Sequence, residues 1–464
     1  MPPNVAHFLE RGLRPPGHWR TPLLLQLRPD VHVEDIRSVL TAVTNHHDAL
    51  RLRLVQRAGT WEQEIGDQVE FAELAVQSLP EGISPGSPQE RQTVLDMLRA
   101  QILEQDLSSA PLAATYVRGL PGGPCYLAAS VHGIVGDDVS RDILLTDIFT
   151  AFGQRLAGED VVLQPVTTSW SEWSQRCAAL ATHPAVLESR DFWLGTATTA
   201  DLRVAGSEIA EDLEPATEAD LVRLSSSISV AATAEIDDAR RRIRRPIDEI
   251  LLAALSRTIA ATVGDGAIAV DLGGLGRSVL KPDIDLRRTV GWFTTVYPVA
   301  LRCVKSEGTS ARQLLDGVHD MLSTVPHYGI GYGLLRYLYA PTAQLLGAVR
   351  PADIHFSYLG TIPDLPSLSS GDAPVQLDAD TVMPVRQTTA GLGHAVELRV
   401  YRSAGALHLD WWYDTRRVEP AAAQSLADGL SIALMDLIRD AIDEDDVESA
   451  DDELTLVDLS STQA

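Results

Sequence analysis

The sequence predicts an α+β fold arranged as two lobes. Helical and strand patterns are mixed in both halves, without the regular strand–helix alternation that a parallel βαβ array requires. At 464 residues the chain exceeds one core of ordinary size, so two domains are the expectation. A loop-like stretch, QPVTTS, interrupts the patterned segments, and the lobe boundary is expected near Pro165 to Arg176. Apolar residues at 45% and charged residues at 22% suit packed cores and argue against a long disordered segment.

The first clear element is a helix running into a strand. In EDIRSVLTAVTNHHDALRLRL, Ile36, Val39, Leu40 and Val43 recur at three- and four-residue spacing before ALRLRLV alternates. ERQTVLDMLRAQILEQ reads as a second helix, the apolar run CYLAA as a buried strand, and SRDILLTDIF as the helix after it. SWSEWSQRCAALA, beyond the loop, is another helix. In the second half PIDEILLAALSRTIAATVG is a strongly apolar helix, GAIAVDLGGLG a strand ending in glycines, and ARQLLDGVHDMLSTV a helix. ADIHFSYLG reads as a strand, and HAVELRVYRSAGALHLDWWYD as a hairpin turning at Ser403 to Gly405.

Several function classes are disfavoured. A formal net charge of −26 repels polyphosphate, so no nucleic-acid partner is expected. No run of about 18 apolar residues is present. The N-terminus has no basic start followed by an apolar run, so no membrane span or signal peptide is expected and the chain reads as cytoplasmic. Cys125, Cys177 and Cys303 lack metal or disulfide spacing and read as reduced core residues. No phosphate-binding GxxxxGK[ST] occurs, and DLGGLGRS does not fit a dinucleotide fingerprint, so no bound nucleotide cofactor is expected. The acidic block DEDDVESADDE, 443–453, reads as a solvated tail or linker. What remains as a candidate centre is SVHGIVGDDVS, 130–140, with one histidine and two aspartates between a strand and a helix.

A longer series of motifs carries a resemblance. HFLE at 7–10, HHDALRLRL at 46–54, TTSWSEW at 167–173, VDLGGLGR at 270–277, RTVGWFTTVYPV at 288–299, GIGYGLLRYL at 329–338, IHFSYLG at 354–360 and LTLVDLSS at 454–461 resemble, in this order, epimerization domains of nonribosomal peptide synthetases, within the condensation-domain superfamily. The resemblance implies two chloramphenicol acetyltransferase-like lobes in a V-shaped pseudo-dimer with a central tunnel. On it we expect lobes at 1–170 and 171–442 and the acidic tail at 443–464. It further implies thioester substrates on the phosphopantetheine of a peptidyl or acyl carrier protein, or of a neighbouring synthetase module, with no cofactor of the chain's own.

The same resemblance sharpens the candidate site. The family's His-His-x-x-x-Asp-Gly falls on His132, Gly133, Asp137 and Asp138, so glycine replaces the histidine usually given the catalytic role. The epimerization branch's Glu-Gly-His-Gly-Arg-Glu falls on GGLGRS, placing Gly273 on the first glutamate, Leu275 on the histidine, Arg277 on the arginine and Ser278 on the last acid. Inverting a Cα centre requires removing a proton and returning one to the opposite face, and a positioned acid or base contributes about 10²–10⁴-fold per transfer. Glycine supplies neither group, so ordinary epimerase activity is not expected.

The expected function is a repurposed tailoring, acyl-transfer or cyclisation step in natural-product biosynthesis. An inactive docking or recruitment domain and a residual epimerase are the alternatives. His132, Asp138 and His394 are the candidate acids and bases, with core support the alternative for both histidines and helix capping for Asp138. Asp137 and Arg277 match a structural ion pair. Ser357, Trp292, Tyr297 and Tyr332 join Leu275 and Ser278 as candidate tunnel wall. HHD at 46–48 reads as structural, and RRRIRR at 240–245 as either a carrier-facing patch or a solvated helix end.

Overall fold

The computed structural model describes residues 1–12, 15–71, 74–196, 200–204, 213–214, 216–274, 276–277, 283–362, 373–378 and 393–461. The first half runs α1 (Pro3–Arg11), β1 (Arg20–Leu27), α2 (Val33–His46), β2 (Leu52–Arg57), β3 (Thr60–Ile65), β4 (Ala75–Ser78), α3 (Pro88–Leu103), β5 (Leu112–Arg118), β6 (Cys125–His132) and α4 (Asp138–Leu156). It closes with α5 (Trp170–Leu180), α6 (Pro184–Glu188) and α7 (Arg190–Thr196). The second half comprises β7 (Leu221–Ile228), α8 (Val230–Ile243), α9 (Ile247–Thr262), β8 (Gly266–Gly274), β9 (Thr295–Cys303), α10 (Ala311–Ser323), α11 (Ile330–Tyr337) and α12 (Ala340–Gly347). β10 (Ile354–Thr361), β11 (Val375–Leu377), β12 (Val396–Ser403), β13 (Ala406–Asp414) and α13 (Pro420–Ser461) complete it.

Each half carries its own open mixed sheet, so the α+β expectation holds. The first has the order β11-β1-β6-β5-β4, the second β7-β13-β12-β10-β8-β9, and β2 and β3 form a separate ribbon. In the second sheet β10 is parallel to both neighbours, β12 and β8, while β12 and β13 form the expected antiparallel hairpin. Its turn places Ala404 and Gly405 at φ 49° and 77°, the two left-handed residues that a tight hairpin of matching twist needs.

Helix burial follows the sequence periodicity. α2 buries Ile36, Val39, Leu40 and Val43, and α9 is buried nearly all round. α5 starts at Ser169, whose hydroxyl accepts from Glu172 N, while the Asp48 carboxylate accepts from Trp170 N and Ser171 N at 3.0 and 2.8 Å. The aspartate of HHD is therefore an anchor for the next helix, in line with its structural reading. α13 is long and apolar enough over Pro420–Asp445 to match a membrane span by length and composition, but its stripe Leu426, Leu430, Leu434 and Leu437 is fully buried in the second core.

The packing boundaries differ from those expected at 170/171 and 442/443. The first core extends through Trp170, Trp173 and Trp193 and takes in Val290, Phe293, Leu334 and Leu335 from the second half. β11 crosses over to pair with β1, Leu25 opposite Leu377, and Arg91 grips Asp378 beside it with two bonds of 2.7 and 2.9 Å. A cut at 170 would thus leave the first sheet without an edge strand. At the other end the helix runs through residue 443, and Glu444 accepts from Ala311 N and Arg312 N at 2.9 Å each, capping α10. The start of the acidic block packs because the Glu444 carboxylate meets free N–H groups at a helix N-terminus.

Candidate functional site

Two walls, one from each half, enclose a cavity of about 250 Å³. The strand-to-helix loop after β6 supplies Gly133, Gly136, Asp137 and Asp138; β10 supplies His355 and Ser357; the approach to β12 supplies His394. α1 reaches across with His7, Phe8 and Arg11, and Trp19 and Trp292 add an aromatic face.

On the first wall the structure sorts the expected residues into distinct roles. His132 is buried, with both ring nitrogens engaged by main chain: Nδ1 accepts from Ile134 N at 3.2 Å, so Nε2 carries the proton and donates to Pro16 O at 2.9 Å. Burial, with Arg20 nearby, pushes its pKa down to about 3. This corrects its place among the candidate catalytic groups, since neither a lone pair nor a proton is left for the cavity; the ring secures the loop. Helix capping falls to Asp137 rather than Asp138. Asp137 Oδ1 accepts from Ser140 N and Ser140 Oγ at 2.8 and 2.7 Å, and from Arg277 Nη2 at 2.8 Å. Arg277 also donates to Thr289 O at 2.8 Å and lies over the Phe293 ring at 4.4 Å. Asp138 is the first residue of α4, is 46% exposed and pairs with Arg141 at 3.1 Å.

Gly133 is not an empty position. A Cβ built there falls 2.6–2.8 Å from three ring atoms of Trp19. The indole is held in that space by a stack with Phe8 at 5.0 Å and an edge contact with Trp292 at 4.8 Å.

The second wall carries the polar chemistry. His394 Nε2 lies 2.7 Å from Asp271 Oδ2, and Arg11 Nη2 lies 3.1 Å from the same oxygen while its Nη1 donates to Gly393 O at 3.1 Å. Arg11 Nη2 is also 3.1 Å from His394 Nε2, but two donors cannot bond one another, so both point their protons at Asp271. Burial works to raise the Asp271 carboxyl, yet the His394 hydrogen bond and the Arg11 charge outweigh it and hold it well below the usual carboxylate range. Burial and Arg11 push the His394 imidazole down, so it rests neutral with Nε2 protonated and Nδ1 bearing a lone pair. His355 stacks on His394, ring centroids 5.1 Å apart at 23°. Its pKa is pushed down to about 3, by burial first and by His394 second. His7 gives its Nδ1 proton to Tyr337 Oη at 2.8 Å, and Tyr337 in turn donates to Glu10 at 2.6 Å.

Of the remaining expected wall residues, Ser357 and Trp292 line the cavity. Tyr297 and Tyr332 do not: they pack on Trp193 at 6.0 and 5.4 Å, and Tyr297 also fills the space over Gly329. Both are partly buried aromatics packed against the first core, where a ring on an indole buries apolar surface. Gly273 lies behind His355 and Ser357, whose Nε2 and Cβ each stand 3.3 Å from where its Cβ would be. Leu275 and Ser278 lie outside the described residues. The RRRIRR run ends α8, and Arg240, Arg241 and Arg245 pair with Asp237, Asp238 and Asp316, so much of the run's charge is met within this lobe. Cys177 and Cys303 are buried thiols pushed up to about 12.

Sequence reasoning missed Asp271, His355, Arg11, His7 and Trp19. A signal existed for two of them: Asp271 is the lone charge in the apolar run AIAVDLGG, and His355 shares a strand face with Ser357.

The condensation-domain family model matches residues 6–455. The chain is 55% identical over 472 aligned residues to a component of the phenolphthiocerol/phthiocerol polyketide synthase of Mycobacterium bovis, a match covering 100% of this chain and 31% of that protein. It is 31% identical over 445 residues to a component of the linear gramicidin synthase of Brevibacillus parabrevis, covering 94% of this chain and 8% of that one. The chain thus spans about a third or less of these relatives' length. Among solved structures, the epimerization domain from the third module of a tyrocidine synthetase superposes with a TM-score of 0.77 at 21% identity, covering 95% of this chain and 96% of that domain. Fold, motif order and family match agree: the chain belongs to the condensation-domain family.

Proposed function

We propose that this chain receives an acyl group carried as a thioester on the phosphopantetheine of a carrier protein and transfers it to a nucleophile, with His394 as the base. The observation that carries the reading is the 2.7 Å hydrogen bond between Asp271 and His394 at the cavity wall. A carboxylate holding one imidazole nitrogen fixes the tautomer, aims the ring and stabilises the imidazolium formed when the other nitrogen takes a proton. His7 is the weaker candidate, because its partner is a neutral phenol.

In the step, an O–H or N–H nucleophile gives its proton to His394 Nδ1 as its heteroatom bonds the thioester carbon. The carbon–sulfur bond then breaks, and the imidazolium returns the proton to the departing pantetheine sulfur. Acyl transfer is favoured over epimerization because inversion needs proton-handling groups on opposite faces of one carbon. Here His394 and His355 share one wall; on the other the indole of Trp19 fills the position at Gly133, and the Asp138 carboxylate is paired with Arg141. The 55% identity to a segment of a polyketide synthase favours an acyl chain of polyketide type over an aminoacyl group, and the aromatic face of Phe8, Trp19 and Trp292 suits it.

The test is a carrier loaded with an acyl pantetheine, incubated with the chain and with alcohol and amine acceptors in deuterated water, and followed by intact mass. The expected result is acyl transfer to an acceptor, reduced about 10²–10⁴-fold by His394→Ala. Cα deuterium exchange without transfer would assign a residual epimerase, and carrier binding without turnover a docking domain; either overturns the proposal.

A further inference from the structure

We infer that His355 is a second catalytic residue of this site: its Nδ1–H donates to the acyl carbonyl oxygen while His394 Nδ1 takes the proton of the nucleophile. The inference rests on the reading of His394 above and adds the electrophilic half of the site.

Three observations carry it. The two rings are stacked at 5.1 Å on one wall of one cavity, so both can reach the same bound group. His355 Nε2 is buried without a hydrogen-bond partner among the described residues, and it stands 3.3 Å from the point a Cβ on Gly273 would occupy. A buried N–H without an acceptor costs more than a buried lone pair without a donor, so the neutral ring keeps its proton on Nδ1, the nitrogen not enclosed against Gly273. The third is the complement across the stack: His394 has its proton on Nε2, fixed by Asp271, and so bears its lone pair on Nδ1. One ring thus offers an acceptor and its neighbour a donor, the pair that a carbonyl and an attacking O–H or N–H require.

The arrangement also accounts for Gly273. β8 and β10 run side by side with Asp271 opposite His355, which brings the imidazole over the next inward position of β8. A side chain there would crowd Nε2 and Ser357, and glycine leaves the ring its place. The position where the family resemblance puts a glutamate is therefore occupied in space by an imidazole from the neighbouring strand. In the transfer step no atom of His355 is consumed: its N–H bonds the carbonyl oxygen more strongly as negative charge gathers there, and releases it when the carbon–sulfur bond breaks.

The experiment has two arms on the full chain. With ¹⁵N-histidine labelling, NMR is expected to report His355 as the Nδ1–H tautomer and His394 as Nε2–H, assigned by loss of each signal in His355→Ala and His394→Ala; an Nε2–H tautomer for His355 overturns the inference whatever the activity. In the acyl-transfer assay, His355→Ala is expected to lower kcat about 10²–10³-fold. KM for the loaded carrier should stay nearly unchanged, as for a contact made mainly in the transition state. His355→Asn, whose amide N–H can stand near the place of Nδ1–H, is expected to recover part of the loss. Gly273→Ala, which keeps the histidine but presses on Nε2, is expected to lower kcat with an unchanged thermal midpoint. Full kcat in His355→Ala beside an inactive His394→Ala overturns this inference alone. Full activity in His394→Ala, or no transfer by the unmodified chain, overturns the proposed function and this inference with it.

Discussion

The indole of Trp19 occupies the space a side chain at Gly133 would need: a Cβ there falls 2.6 Å from Trp19 Cδ2 and 2.7 Å from Cε3. The two positions are one packing unit. Gly133→His alone is therefore expected to destabilise the fold by about 1–3 kcal/mol through overpacking. Trp19→Ala in the same chain should relieve part of that cost, with a coupling of about 0.5–3 kcal/mol in a double-mutant cycle read by urea denaturation. Strict additivity would show that the indole and residue 133 do not compete for one volume.

Two buried imidazoles set a pH dependence. In the unfolded chain histidine titrates near 6.5, whereas burial pushes His132 and His355 down to about 3 in the folded chain. Between those values the unfolded state binds protons that the folded state refuses, so stability rises with pH there and is lost as pH falls. Each ring contributes a slope of about 1.4 kcal/mol per pH unit inside that window. The Asp271 carboxyl, held low, acts in the same direction but only at more acidic pH, through the range below its unfolded value of about 3.9. The urea midpoint should fall steadily from neutrality toward pH of about 4, and less steeply in His132→Gln. A midpoint flat across that range would contradict the neutral, buried assignment.

What the sequence made legible was local and periodic. Ile36, Val39, Leu40 and Val43 announced α2 by spacing alone, and the 403–405 turn announced the β12–β13 hairpin. Motif order gave the family and, with it, Asp137 opposite Arg277. On the second wall His394 and Ser357 were legible from motif order, whereas Arg11, Asp271 and His355 were not, because they come from α1, β8 and β10, with Arg11 and Asp271 260 positions apart. Alternation shows that His355 and Ser357 share a face of β10 but not what faces them. Gly133 and Gly273 read as losses in sequence; only the positions of Trp19 and His355 show that both spaces were refilled.

Arg277 is bound on several sides: by Asp137 at 2.8 Å, Ser140 Oγ at 2.9 Å, the carbonyls of Thr289 and Leu286, and the face of Phe293. Lysine has the charge but neither the planar fork nor the reach to satisfy these together. Arg277→Lys is expected to cost about 1–3 kcal/mol, the range for leaving buried acceptors unpaired. A chemical-denaturation midpoint equal to that of the unmodified chain would mean the network is dispensable.

His46, His47 and Asp147 bring three potential ligand atoms within 4.8 Å of one another, a grouping that invites a metal. The surroundings argue otherwise. His47 Nε2 bonds Asp147 at 2.8 Å, Arg288 donates to both Asp147 oxygens at 2.6 and 2.7 Å, and His46 Nε2 is taken by Gln164 O at 2.7 Å. A divalent cation would have to displace a guanidinium already matched to that carboxylate. Zinc is expected to leave the thermal midpoint unchanged, whereas a midpoint climbing with zinc concentration, as mass action demands of a bound ligand, would establish a site.

Arg11 links the first helix to the proposed base, His394. It donates to Asp271 at 3.1 Å, and its charge, after burial, is what lowers the His394 imidazole most. His394 must be neutral to accept a proton, so the rate of acyl transfer is expected to rise with pH through its pKa and then level. Replacing Arg11 with methionine keeps much of the apolar stem but removes the positive charge. The His394 pKa then rises, and the acidic limb of the kcat profile should move to higher pH. A scaffold role for Arg11 alone would lower kcat at every pH without displacing that limb, so the position of the limb, rather than the size of the loss, decides whether the guanidinium tunes the base.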